Sequence, residues 1–257
     1  MENTYSEEFY STRDSHTRQS AEKIVPLIMD VFRPRNVVDI GCGVGTWLKV
    51  FKEYGCRDVL GIDQKEVPRE FLQMDVNEFM THDFEKPLSM DRSFDLVMSL
   101  EVAEHLSPEY ADRFVESLTR LGPVVIFSAA IPRQGGVCHQ NEQWQDYWKE
   151  MFAQHGFVGL DLIRPRIWNE SCVAYWYRQN ILVYLSSEKY EEVSARKDLW
   201  PEARSEMISV VHPLAYSAKC MEIEGLSHPP AIRQTVRLLV RLIVEKFLRF
   251  VRVSRQS

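Results

Sequence analysis

Residues 37–47 constrain the fold more than any other part of the chain. Val37, Val38, Asp39 and Ile40 form a short apolar run broken by one acid, and Gly41, Gly43 and Gly45 follow at every second position. A strand buried on both faces of a parallel sheet reads as such a run. Glycines at its carboxyl end let the backbone approach a ligand where any side chain would intervene. The stretch therefore predicts a strand opening into a nucleotide-type cleft. A dinucleotide fingerprint needs a third glycine at the sixth position of the loop. That position is Thr46, and the glycines fall as G-x-G-x-G, so hydride transfer is the weaker reading.

Three later stretches extend the pattern. Leu60, Gly61, Ile62 and Asp63 place an acid at the end of a second strand, where it can accept hydrogen bonds from ribose hydroxyls. Residues 94–100, Phe-Asp-Leu-Val-Met-Ser-Leu, read as another buried strand, and Thr81, His82, Asp83 and Phe84 precede it. With these motifs in this order the chain resembles the class I S-adenosylmethionine-dependent methyltransferases over roughly residues 20–185. The resemblance implies an α/β, Rossmann-like, seven-stranded and mainly parallel sheet with helices on both faces, its seventh strand running antiparallel between the fifth and sixth. It also implies S-adenosyl-L-methionine as cofactor. Asp39, Gly41, Cys42, Gly43 and Gly45 would shape the methionine site, Asp63 and Gln64 the ribose site, and Asp83 and Phe84 the adenine site. Leu100 would line the same edge.

Read in order, residues 1–19 lack periodicity and are expected to form an arm or a lid. Ser20 is expected to cap a helix over residues 21–32, whose apolar face carries Ile24, Leu27, Ile28, Val31 and Phe32. A second helix is expected over residues 46–54, with its N-terminus toward the cofactor. Ser107 and Pro108 mark the start of a helix running to about Leu121. A helix is expected over residues 141–155, and strands over residues 124–128, from Phe157, and over residues 180–185. Alternating strands and helices imply right-handed βαβ units and a mainly parallel sheet, and the resemblance implies a methyltransferase domain over residues 20–186. Residues 187–232 are expected to form an irregular, partly helical extension, and residues 233–257 a basic amphipathic helix.

The candidate chemistry lies beyond the fourth strand, on the edge where open α/β sheets bind ligands. Glu101, Glu104 and His105 stand at i, i+3 and i+4, so on a helical turn they would share one face. This E-x-x-E-H pattern is similar to the metal-binding motif of ubiquinone-pathway O-methyltransferases and of small-RNA terminal-ribose methyltransferases. The second group adds a His after the fifth strand, and His139 stands in a comparable place. Two readings stay open: Mg²⁺ or Mn²⁺ held by Glu101, Glu104, His105 and His139, or a metal-free site in which His105 or His139 is the general base. Structural duty is the third alternative. Trp144, Tyr147 and Trp148 are either core or one wall of an acceptor pocket, and so are Trp168, Trp176 and Tyr177 with Arg178, Gln179 and Asn180.

Charge and cysteine usage limit the partners. Residues 233–257 carry six Arg and one Lys against Glu245, a local +6 that leaves −12 on the rest of a chain whose net charge is −6. An acidic body does not suit DNA, whose binding rests on phosphate neutralisation. The five cysteines form no C-x-x-C pair, which fits a reducing cytoplasm, and no run of apolar residues is long enough to span a bilayer. On a helix, Arg233, Arg237, Arg241 and Arg249 would line one side of the tail and Val236, Leu239, Val240, Ile243, Phe247 and Phe250 another. That pattern suits contact with the inner face of a membrane, or packing in a homodimer. The expected activity is O-methylation of a hydroxyl on a glycan, a lipid-linked saccharide or a small metabolite. N-methylation, RNA-terminus methylation and a non-catalytic methyltransferase-like binding role are the alternatives.

Overall fold

A computed structural model describes residues 7–64, 69–195 and 208–227. Seven strands build one sheet: β1 (Asn36–Ile40), β2 (Asp58–Asp63), β3 (Phe79–Thr81), β4 (Leu96–Leu100), β5 (Val124–Ser128), β6 (Phe157–Leu160) and β7 (Leu182–Ser186). Their order is β3-β2-β1-β4-β5-β7-β6. All pairings are parallel except those of β7, which runs antiparallel to both β5 and β6. The seven-stranded, mainly parallel sheet with helices on both faces is the architecture the sequence implies. Strand order reverses between β1 and β4, and the carboxyl ends flanking such a point form the ligand crevice of open α/β sheets.

The period-2 alternation of a strand explains the two cores. Val37, Leu96, Met98, Ile126 and Val183 point into one apolar layer together with Ile24, Ile28, Leu48 and Phe51. These last four come from α1 (Glu7–Phe32) and α2 (Thr46–Glu53). Val38, Ile40, Val97, Val125, Phe127 and Tyr184 point into the opposite layer, with Phe114, Leu118, Trp148 and Phe152 from α3 (Ala111–Leu121) and α4 (Gln145–Gln154). On α3 the buried residues Ala111, Phe114, Val115, Leu118 and Leu121 recur at helical spacing. Burying one such side chain stabilises the fold by about 1.5–3 kcal/mol. Short helices α5 (Arg164–Ile167), α6 (Tyr175–Asn180) and α7 (Ser187–Ser194) flank β6 and β7 in the chain.

Several boundaries differ from the sequence reading. Ser20 does not cap a helix: α1 starts at Glu7, and residues 7–19 are helical rather than aperiodic. The Ser20 hydroxyl is fully buried, donates to His16 O at 2.9 Å and accepts from Ala174 N at 3.1 Å. A serine satisfied in this way sits inside a helix without ending it. The helix expected from Asn141 begins at Gln145 because residues 139–143 bond elsewhere, with Gln140 N and Asn141 N both donating to Glu104 O. Asn180 closes α6 instead of opening β7, and Ser107 makes no side-chain cap, leading into a 3-10 turn ahead of α3. The chain divides into a unit over Met1–His212 and a second over Pro213–Ser257. The second contains α8 (Pro213–Ser227). The basic segment at residues 233–257 lies outside the described residues, and among those described no helix is long and apolar enough to cross a membrane.

Candidate active site

The glycine loop, β2 and the turn after β4 meet at the carboxyl edge. Gly41, Gly43 and Gly45 all have positive φ, at 83°, 55° and 87°, but their reasons differ. A Cβ on Gly41 would lie 2.2 Å from Val102 Cγ2, and one on Gly45 2.0 Å from Met74 Cε. Those two glycines are demanded by the protein's own packing. A Cβ on Gly43 would meet nothing within 4 Å, so only this one faces space a ligand could fill. Gly43 N donates to Asp63 Oδ2 at 2.6 Å, and Gln64 N donates to Asp63 Oδ1. Asp63 is thereby fixed at the mouth of the cleft.

Asp39 is only 2% exposed, and its Oδ2 has no hydrogen-bond partner. Burial, reinforced by the negative charge of Asp63, pushes its carboxyl up to about 8. Cys42 lies against the same two acids, and burial raises its thiol as well. The native state thus holds the Asp39 proton more tightly than the unfolded chain, whose aspartates titrate near ~4. Asp39 costs nothing below about pH 4, and its destabilisation grows as pH rises and is complete above about 8. Asp39→Asn is therefore expected to raise the melting temperature of the unliganded protein at pH 8 by roughly 5–10 °C, with little change at pH 4, by calorimetric scans at both values.

The remaining cofactor residues separate. Leu100 is buried at the end of β4. Asp83 is exposed, paired with Lys86 at 3.0 Å, and that hydrogen bond holds its carboxyl below the usual range. Phe84 is buried in the second core, its ring 5.8 Å from Phe114, so its main visible duty is packing.

Beyond β4, the expectation that Glu101, Glu104, His105 and His139 form one group needs a correction. Glu104, His105 and His139 do converge, with donor atoms all within 4.8 Å of one another. Glu101 is not among them. Its backbone is left-handed, at φ 57°, and the helical turn begins only at Ala103, so the i, i+3 rule does not apply across it. Glu101 turns instead to Asn180 Nδ2 at 3.1 Å and Gln134 Nε2 at 3.1 Å, while its N–H donates to Ser128. Burial raises its pKa, opposed by the hydrogen bonds from Asn180, Ser128 and Gln134 and by the electrostatic influence of nearby His139.

The histidines stand edge to face, ring centroids 4.8 Å apart. His139 Nδ1 lies 3.0 Å from Glu142 Oε1, and Glu142 also accepts from Gly135 N and Arg133 N. Burial works to raise the Glu142 pKa, but these hydrogen bonds, His139 first, outweigh it and hold the carboxyl below its usual value. An ionised carboxylate only accepts, so Nδ1 carries a proton, and in the neutral imidazole Nε2 is the nitrogen with the lone pair. Gln134, Gln179 and Asn180 join the site through long-range contacts that no local periodicity marks, whereas Glu142 reaches His139 from three residues along the chain. Trp148 is core, and Trp144 is 45% exposed.

A methyltransferase-domain family model matches residues 13–162, which is more than half the chain and spans the glycine loop, β4 and the histidine cluster. The chain belongs to the methyltransferase-domain family. Norajmaline N-methyltransferase of Rauvolfia serpentina is 30% identical over 115 residues, covering 38% of this chain and 37% of that protein. Magnesium protoporphyrin IX methyltransferase of Synechocystis PCC 6803, solved with bound SAM, has a TM-score of 0.50 and 21% identity over 73% of this chain and 87% of its own. The methyltransferase domain of bacterial CtHen1-C has a TM-score of 0.50 and 16% identity over 66% and 98%. These two likenesses concern the fold.

Proposed function

We propose that this member of the methyltransferase-domain family transfers a methyl group from S-adenosylmethionine to a hydroxyl of a polar acceptor. The observation that carries the reading is His139, its Nδ1 held by Glu142 at 3.0 Å, beside a loop whose Gly43 faces open space. When bound, the donor supplies an electrophilic methyl on a sulfonium sulfur. The residues of the chain do the rest. Asp39, buried and with one oxygen unpartnered, suits a cationic group of the cofactor, and Asp63 suits its ribose hydroxyls. His139 Nε2 removes the acceptor's hydroxyl proton as the new O–C bond forms and the S–C bond breaks. Glu142 stabilises the imidazolium that results. Glu101, with Gln134 and Asn180 behind it, provides a carboxylate to receive acceptor hydroxyls. A saccharide or a small polyhydroxylated metabolite matches such a wall.

Cofactor binding tests the first half. Near neutral pH, a cation placed on Asp39 should expel the proton that burial retains there. The heat of S-adenosylhomocysteine binding measured in buffers of different ionisation enthalpy is expected to reveal proton release at pH 7 and none at pH 9. Absence of binding at millimolar ligand would end the reading.

A second reading is favoured by the convergence of Glu104, His105 and His139. Two imidazoles and a carboxylate suit Mn²⁺ or another divalent ion, and Glu142 behind His139 has the usual place of a carboxylate supporting a histidine ligand. With bonds of about 2.1 Å, neighbouring donors on one ion stand roughly 3.0–3.4 Å apart, so the three side chains would have to draw closer together. A bound metal would lower the pKa of the acceptor hydroxyl. Chelation separates the readings: turnover surviving EDTA assigns the proton to His139 alone, and turnover lost to EDTA and restored by Mn²⁺ assigns the cluster to a metal. The Rauvolfia relative is named for nitrogen methylation, so amines belong in the acceptor panel.

A further inference from the structure

Two arginines near the acceptor wall are treated differently by the fold. Arg164 is 1% exposed, and its Nε and Nη2 form a fork onto Asp161 Oδ1 and Oδ2 at 2.9 and 2.8 Å, while Nη1 donates to Gln179 O at 2.9 Å. Every edge of that guanidinium is answered, as a buried cation requires. Arg178 is 6% exposed and has no such answer. Its Nη1 donates to Trp168 O at 3.3 Å, but its Nε has no hydrogen-bond partner, and no carboxylate among the described residues lies within ion-pair distance of it. The unanswered Nε belongs to the edge that Asp161 fills on Arg164.

Around Arg178, aromatic and polar side chains are tied together by hydrogen bonds. His212 is 5% exposed, its Nε2 lies 3.1 Å from the same Trp168 carbonyl, and its ring packs 4.6 Å from the Trp168 indole. His212 N donates to Gln179 Oε1 at 2.9 Å, Gln179 Nε2 donates to Gln134 Oε1 at 3.0 Å, and Asn180 Nδ2 reaches Glu101. Arg178, Gln179 and Asn180 are consecutive on α6. The cation therefore sits two residues along the chain from the side chain that holds Glu101.

A guanidinium taken out of water without a counter-charge is a large liability, and a neutral side chain of similar volume would serve the fold better. We infer that Arg178, flanked by His212 and Trp168, is an oxyanion subsite that takes a phosphate or carboxylate group of the methyl acceptor, bidentate on the free Nε edge. The identity of the ligand as acceptor rests on the methyltransferase reading; the anion site itself does not. The acceptor would then combine a hydroxyl at His139 with an anionic group, as a sugar phosphate or a uronic acid does.

Thermal unfolding with methyl phosphate and with acetate at millimolar concentration and constant ionic strength, on the wild type and Arg178→Met, tests the subsite. Wild type is expected to gain about 2–5 °C with the anion that fits, and the larger of the two shifts identifies phosphate or carboxylate. Arg178→Met is expected to melt at or above the wild-type temperature without added anion and to show no anion-dependent shift. Equal shifts in both proteins, no shift in wild type with either anion, or a variant that melts far below wild type would each overturn the inference. S-adenosylhomocysteine calorimetry on the same samples keeps this result separate from the cofactor reading, because Arg178→Met should bind it as wild type does.

Discussion

Gly43→Val is expected to abolish S-adenosylhomocysteine binding while leaving a folded protein. A Cβ at Gly43 meets nothing of the protein within 4 Å, so the added isopropyl group would occupy only the volume the cofactor needs. The backbone there, at φ 55°, disfavours a β-branched residue, a strain of about 1–2 kcal/mol. That lowers the melting temperature by a few degrees and leaves the fold intact. Gly41→Val is the contrasting variant: its Cβ would start 2.2 Å from Val102, so it should lose stability before binding can be assessed. Calorimetric titration with scanning calorimetry reads both. A Gly43→Val protein that binds with wild-type affinity would remove the cofactor from this loop.

His139→Ala should lower the rate of S-adenosylhomocysteine formation with a methylatable acceptor by about 10²–10⁴-fold, the range of a lost general base, with cofactor affinity unchanged. His105→Ala should cost less in the metal-free reading, because His139 is the imidazole backed by the Glu142 carboxylate, which stabilises the imidazolium. A His139→Ala enzyme with wild-type turnover would exclude both the base and the metal reading. Equal collapse of the His105→Ala and His139→Ala enzymes, together with sensitivity to chelation, would select the metal.

Much of the fold was legible because its signals are local. The apolar runs at β1, β4 and β5 are short and buried on both faces, and the residues that alternate between the two cores are adjacent in sequence. The glycine loop announces itself by composition, although only the packing of Val102 and Met74 separates Gly41 and Gly45, required by the fold, from Gly43, which faces open space. Ser20 misled for the opposite reason. Its cap-like identity is a local signal, whereas the hydrogen bond that settles it comes from Ala174, far along the chain.

The candidate site was half legible. His105 and His139 could be picked out by residue type and by their positions after β4 and β5, and they do meet. Glu101 could not be placed, because helical spacing presumes a helical backbone and the chain takes a left-handed residue at that point. Sequence alone determined the order of strands and helices along the chain, the glycine loop and the acids near the ends of β1 and β2, since each depends on neighbours a few residues away. Tertiary structure alone decided that Gln134 and Asn180 hold the Glu101 carboxylate, that His105 and His139 meet, and that Gln179 links Gln134 to the backbone of His212. Most of those contacts join loops and helix ends at the sheet edge, where hydrogen bonding follows from how distant segments are brought together and leaves no period in the chain.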